Sequence, residues 1–194
     1  LLVLYERGTI VHYHIIFIFT KYKMILLLFI IFLVWFLVPT YEKPTVIPNF
    51  IAYEEIEHIK QEAESKFSVS TVAEDRKVEK TTRDSETAWL ELEDPIVNQV
   101  AEKCVGLTDR PLKNCEKLQV PRYKTGGFYN PHQDTFSDTK GNKRMYTIIL
   151  ALNDDYEDGE TVFPNIKRKY KLNKGDALFF NTLDNYELIT SKAL

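Results

Sequence analysis

The stretch Tyr129-Asn130-Pro131-His132-Gln133-Asp134 decides how this chain is read. In an extended segment the side-chain period is two, so the His132 imidazole and the Asp134 carboxylate lie on one face and aim at one point. An imidazole nitrogen and a carboxylate oxygen make two thirds of the facial triad that holds non-haem Fe(II), with positions left open for a cosubstrate and O2. The spacing by itself is weak. With 4 His and 11 Asp in 194 residues, chance supplies roughly 0.2 His-x-Asp triplets. The bland alternative is a loop histidine beside an Asp that bonds nearby backbone. The flanking sequence has to choose between them.

A chain of 194 residues suits one domain with a sizeable core, with or without an appendage. Lys plus Arg is 25 and Asp plus Glu is 28, a net charge of -3. That balance gives no general attraction for nucleic acid or for anionic membrane surfaces, and neither is expected as substrate. Two regions differ sharply: residues 1–38 are strongly apolar, and 40–194 carry nearly all the acids. Cys104 and Cys115 flank a Thr108-Asp109-Arg110-Pro111 loop at a separation that a disulfide could close; two separate buried thiols are the alternative. There is no Cys-x-x-Cys, and neither cysteine reads as part of a zinc site.

Residues 24–38, from Met24 to Val38, run without a charge, preceded by Lys21 and Lys23 and stopped by Pro39. The pattern reads as a signal anchor or transmembrane segment, short for a span yet long for a cleaved signal core. Its basic flank would stay cytoplasmic and put the chain after Pro39 on the lumenal side of the endoplasmic reticulum. No Asn-x-Ser/Thr sequon occurs, so that placement rests on the apolar segment alone. The alternative is a buried helix, although few soluble helices are apolar all round. Residues 1–23 precede the first methionine, Met24, and read as an upstream, non-native extension; otherwise Ile10–Thr20 is a second apolar run broken by His12 and His14.

Residues 39–48, with Pro44 and Pro48, read as an extended linker, and 49–194 as the working domain. Ile56, Ile59, Ala63 and Phe67 fall at helical spacing, with Glu54 and Glu55 in the first turn where the helix dipole favours acids. His58 sits on the polar side of that helix and reads as solvated. Residues 68–87 are polar and give a flexible or edge-strand region. Asp94-Pro95 supplies an N-cap and a first-turn proline, Ile96, Val97, Val100, Ala101 and Cys104 an apolar face, and Gly106 a stop. From Glu116 onward the pattern changes to extended runs at Lys117–Tyr123, Phe128–Asp134, Met145–Leu152, Glu160–Phe163 and Asp176–Asn181, separated by turn signals such as Gly126-Gly127 and Asp158-Gly159. Two helices followed by strands predict an α+β domain, a β-sandwich or barrel-like core with helices on one side.

Six blocks now stand together: Glu116–Tyr123, Gly127–Asp134, Arg144–Leu150, Leu152-Asn153, Gly159–Pro164 and Lys174–Phe180. In order and spacing they resemble the prolyl 4-hydroxylase family, Fe(II)- and 2-oxoglutarate-dependent dioxygenases, over about 47–194. The resemblance implies a double-stranded β-helix, a jelly-roll or cupin-like core. It implies that His132 and Asp134 are metal ligands, that Tyr123 and Thr161 contact 2-oxoglutarate, and that Tyr129 and Arg144 face a bound peptide. It further implies Fe(II), 2-oxoglutarate and ascorbate, and peptidyl-proline 4-hydroxylation of a proline-containing peptide or protein. Each of the last four residues also has an ordinary reading, since tyrosine and threonine suit any half-buried strand and arginine any strand end.

The resemblance also implies a third ligand, a distal histidine, and a lysine about ten residues beyond it for the far carboxylate. No histidine follows His132, so an incomplete domain, weak iron binding and little turnover are expected. The rival readings are a 2-oxoglutarate oxygenase with a non-proline substrate and a non-catalytic peptide-binding relative.

Overall fold

The computed structural model describes residues 22–35, 42–72, 78–135, 141–182 and 189–192, and the chain divides into two units, 1–41 and 42–194. In the first unit residues 22–35 form helix α1, whose apolar side chains from Met24 to Trp35 are exposed. At 1.5 Å per residue it spans about 21 Å, short of the hydrocarbon core of about 30 Å. No helix among the described residues is long and apolar enough to cross a membrane, so the anchor expected over 24–38 is not supported as a spanning helix. Residues 36–38, and nearly all of the extension expected over 1–23, lie outside the described residues.

In the second unit the two expected helices form where their end signals lie. Helix α2 (Tyr53–Glu64) buries Ile56, Ile59 and Ala63, and its first turn is tied by Glu55 Oε2, which accepts from the Ala52 N–H at 2.7 Å. Phe67 falls outside the helix and packs under the Arg122 guanidinium, 3.7 Å from its ring centre. Helix α3 (Pro95–Val105) begins as Asp94 predicts: one carboxylate oxygen accepts from both Ile96 N and Val97 N at 2.9 Å. Gly106 ends it at φ -60, an ordinary right-handed geometry, so the stop does not use the freedom of glycine.

Eleven strands are described: β1 (Thr45–Ile47), β2 (Ser68–Val69), β3 (Arg83–Asp84), β4 (Glu86–Leu90), β5 (Leu118–Arg122), β6 (Phe128–His132), β7 (Tyr146–Leu150), β8 (Thr161–Phe163), β9 (Arg168–Tyr170), β10 (Ala177–Asn181) and β11 (Ile189–Lys192). They pair antiparallel in three sheets with orders β1-β10-β7, β3-β6-β11-β8-β9 and β2-β4-β5. The five runs expected from Glu116 onward are β5, β6, β7, β8 and β10. β1 lies inside the stretch expected as a linker, with Thr45 opposite Phe179.

Two apolar clusters hold the layers together. Ile51, Ile56, Ile59, Ala63, Val97 and Val100 pack on Ala88, Leu90 and Val120, so α2 and α3 cover the β2-β4-β5 sheet. Phe163, Leu172, Leu178 and Phe180 form the second cluster, with Phe180 edge-on to Phe163 at 5.1 Å. Helices α2 and α3 thus lie on one side of the antiparallel strands, and β6 and β7 carry the candidate site.

Candidate metal and substrate site

β6 ends at His132, and Asp134 lies just beyond it. His132 Nε2 and Asp134 Oδ1 are 3.2 Å apart. Two ligands each about 2.1 Å from a metal and about 90° apart would stand about 3 Å from one another, so the pair has chelating geometry. The other ring nitrogen, His132 Nδ1, is 2.9 Å from the Asn130 carbonyl oxygen. A carbonyl only accepts, so Nδ1 carries a proton, and Nε2 is the nitrogen that would bind a metal. These donors fit Fe(II) as far as two ligands go. Among the described residues no third His, Cys, Asp or Glu joins them within metal-ligand distance; the one such trio is His58, Glu62 and Asp94, elsewhere.

A register shift explains what else faces this point. β11 pairs Ile189 with His132 and Ser191 with Tyr129, so two residues of β6, Asn130 and Pro131, stand against one of β11. Proline has no N–H to give to a ladder, and an extra residue reverses the alternation of faces. Tyr129 and His132, on opposite faces of a regular strand, therefore come to one side and stack at 3.6 Å with ring planes 18° apart.

Charge is arranged around the pair. Burial raises the Asp134 pKa, but the His132 and Thr147 side chains and the nearby Arg144 outweigh it and hold this carboxyl below its usual range. Arg144 is anchored through two 2.9 Å bonds to Glu116, and its Nη1 donates to the Asp134 carbonyl at 3.3 Å. That bidentate bond to Glu116, with the Asp134 charge behind it, pushes the Arg144 pKa up. Arg83 lies 4.7 Å over the Tyr129 ring, is 7% exposed, and donates to the hydroxyls of Ser85 and Thr87. Burial raises the Tyr129 pKa, partly offset by Arg83. One buried polar atom is left over: among the described residues, Thr147 Oγ1 is the buried side-chain atom with no hydrogen-bond partner. Such a group is destabilising by about 1–3 kcal/mol unless something completes it.

The structure thus brings together His132, Asp134, Tyr129 and Arg144 of the six residues expected here. Tyr123 follows β5 directly and is near enough to Tyr129 to affect its ionisation. Thr161 stands apart on β8, separated from β6 by β11. Sequence reading missed Arg83, Glu116 and Thr147 as members of the site. Glu116 opened one of the quoted blocks, but nothing in a lone Arg83 or Thr147 marks it without the strand register.

His58, expected to be solvated, instead bridges the helices: Nε2 is 2.9 Å from both Asp94 oxygens. Asp94 was legible as a cap, and its second role was hidden because the partner lies on another helix. Cys104 and Cys115 are free thiols, both half-buried. Burial pushes the Cys104 thiol up to about 12, with Cys115 and Glu55 adding to the shift.

Residues 118–187 match the family described as the 2OG-Fe(II) oxygenase superfamily. A protein of Acanthamoeba polyphaga mimivirus assigned as a prolyl 4-hydroxylase is 34% identical over 154 residues, 75% of this chain and 63% of its own length. Prolyl 4-hydroxylase 1 of Arabidopsis thaliana is 35% identical over 129 residues, 61% of this chain and 46% of its own. Prolyl 4-hydroxylase subunit alpha-1 of Gallus gallus is 31% identical over 157 residues, 74% and 30%. The chain therefore spans less than two thirds of the length of these relatives. Among solved structures, the viral collagen prolyl hydroxylase of Paramecium Bursaria Chlorella virus-1, in a 2OG complex, superposes with a TM-score of 0.59 at 23% identity, covering 78% of this chain and 88% of that one. A Trichoplax adhaerens prolyl hydroxylase, solved with a hypoxia inducible factor peptide fragment, gives 0.54 at 18% identity, covering 77% of each. These two likenesses carry the fold, a jelly-roll with helices packed on it.

Proposed function

The chain belongs to the 2OG-Fe(II) oxygenase superfamily as a relative of the prolyl 4-hydroxylases, and from that premise we propose that its jelly-roll domain serves peptidyl-proline 4-hydroxylation. The observation that carries this reading is the chelating pair, Nε2 of His132 and Oδ1 of Asp134 at 3.2 Å, with the imidazole tautomer set by the Asn130 carbonyl. Fe(II), when bound with 2-oxoglutarate, uses O2 to split the oxo acid into succinate and CO2, placing one oxygen atom in succinate and the other in a substrate C–H bond.

The chain's own residues bind and orient. His132 and Asp134 hold the metal from one edge. Tyr129 is held by stacking on the His132 ring and by the Arg83 guanidinium over its own ring, so its ring edge offers a fixed wall for a proline ring. Arg144, held in place by Glu116, belongs to this reading as a residue facing the peptide, supported by the resemblance and by its place beside Asp134. Tyr123 and Thr161 belong to this reading as cosubstrate contacts; support for Thr161 is the resemblance alone. Ascorbate, as reductant, enters on the same footing.

Membrane attachment on the lumenal side rests on the apolar stretch 24–38 behind Lys21 and Lys23, and liposome flotation of the chain with and without residues 1–41 tests it. The activity itself is tested by succinate release with Fe(II), 2-oxoglutarate and a proline-rich peptide. Peptide-dependent release that disappears in His132→Ala supports the reading, and release indifferent to that change defeats it. The absence of a third ligand among the described residues favours a second reading, a peptide-binding relative without turnover; that reading predicts peptide affinity unchanged by His132→Ala and no succinate.

A further inference from the structure

We propose that Thr182 is a positioning residue: it ties the segment after Asp134 to the backbone of Arg144, and so holds the metal-binding carboxylate and the peptide-facing arginine in one fixed relation. The inference rests on the reading of Asp134 as a metal ligand and of Arg144 as a residue that faces the peptide.

Thr182 directly follows β10 and is 1% exposed. It carries the β7–β10 ladder one step further: Asn181 stands opposite Tyr146, and the Thr182 N–H donates to the Met145 carbonyl at 2.9 Å. A ladder needs nothing more. Yet the Thr182 hydroxyl donates to the Arg144 carbonyl at 2.5 Å, and the Thr182 carbonyl accepts from the Thr135 hydroxyl. All three polar groups of one buried residue are therefore spent on Arg144-Met145 and on Thr135, the two places where the chain enters β7 and leaves Asp134. A β-branched side chain has few rotamers to offer, so the direction of that hydroxyl is set by the backbone of β10.

The contacts close into a ring. Arg144 Nη1 donates to the Asp134 carbonyl at 3.3 Å, Asp134 is bonded to Thr135, Thr135 to Thr182 through its hydroxyl, and Thr182 back to the Arg144 carbonyl. The forked bond to Glu116 holds the guanidinium from outside the ring. Within such a ring no member moves without stretching another bond, so Asp134 and Arg144 shift together or not at all. Valine has nearly the shape of threonine and would fill the same space, but it cannot donate, and the ring would open at the Arg144 backbone. The hydroxyl, not the volume, separates a positioning role from a packing role.

The test takes the full chain as parent, His132→Ala, Thr182→Val, Thr182→Ser and Thr135→Val through two titrations, each run well below the melting point of the variant. Co(II), without 2-oxoglutarate, is followed by the visible absorption of the bound metal, and a labelled proline-rich peptide by fluorescence anisotropy. The expected result is that Thr182→Val weakens both affinities by about tenfold or more, while Thr182→Ser stays within about threefold of the parent on both. Thr135→Val opens the same ring from an exposed position, keeps the test alive if Thr182→Val does not fold, and is held to the same outcome. Parent-like affinity of Thr182→Val for both ligands, with His132→Ala still defective for Co(II), overturns the proposal while the metal reading stands, and a lower melting point alone would then mark packing. Loss of one affinity without the other overturns it too, because the ring couples the two residues. Absence of Co(II) binding by the parent, or equal binding by His132→Ala, sinks the metal reading and this inference with it; absence of peptide binding by the parent does the same for the reading of Arg144.

Discussion

Glu55→Gln isolates one charge at the junction of the two packing helices. The Glu55 side chain is 6% exposed; it accepts from the Ala52 N–H at 2.7 Å, from Lys103 Nζ at 2.7 Å on both oxygens, and from Gln99 Nε2 at 3.2 Å. Glutamine keeps the size and one acceptor for Ala52 but loses the charge on the Lys103 bond. Hydrogen bonds to charged groups contribute about 1.5–3 kcal/mol. Lys103 is 36% exposed and regains water, so the low end, about 1.5 kcal/mol, applies. In a domain of this size 1 kcal/mol moves the melting point about 2–4 °C, which gives a loss of about 3–6 °C at pH 7. Burial raises the Glu55 pKa, but the Lys103 and Ala52 bonds outweigh it and the net shift is downward. A carboxyl depressed on folding stabilises fully above its unfolded pKa and loses that contribution as pH falls through the folded value. The gap between parent and Glu55→Gln should therefore narrow from pH 7 to pH 3, while other acids titrate alike in both. Calorimetry at both pH values measures it. A gap below 1 °C at pH 7, or one that widens in acid, refutes the reasoning.

Arg144→Lys keeps the charge but cannot make the forked bond to Glu116; kcat/KM for a proline-rich peptide should fall about tenfold, carried by KM, with circular dichroism unchanged, and an unaltered KM would remove Arg144 from the peptide wall. With its thiol at about 12, Cys104 is about one part in ten thousand thiolate at pH 8. Iodoacetamide should spare it in the native protein and label it in urea; rapid native labelling, located by peptide mapping, would contradict the burial. Phe163 is fully buried and edge-on to both Phe180 and Tyr170, so Phe163→Ala should destabilise by about 3–5 kcal/mol in urea unfolding, and a change below about 1 kcal/mol would mean the second cluster is not the barrel core.

Where the fold was legible, a local rule and the tertiary answer agreed. Asp94-Pro95 caps a helix from its own two residues, and the runs that became β5, β6, β7, β8 and β10 are bounded by turn residues. β1 was hidden because a strand of three residues beside two prolines has no period to read; its evidence is its partner, β10. The site divides the same way. His132 and Asp134 share a face by alternation, but Tyr129 joins them only through the shift at Asn130 and Pro131, which depends on the pairing with β11. Arg83 and Thr147 are reached from other strands and carry no local signature. His58 pairs with a residue on another helix, so its polar position suggested water. The apolar run after Lys23 gave a helix over 22–35, too short among the described residues to span a bilayer.

The central claim, oxygen transfer to proline at the His132–Asp134 edge, is tested most directly with labelled oxygen. The chain is incubated with Fe(II), 2-oxoglutarate and a proline-rich peptide under 18O2, and peptide and succinate are read by mass spectrometry. The expected result is one 18O on a proline ring of the peptide and one in succinate, both lost in His132→Ala. No label in the peptide, label on another residue, or label that persists in His132→Ala would contradict it.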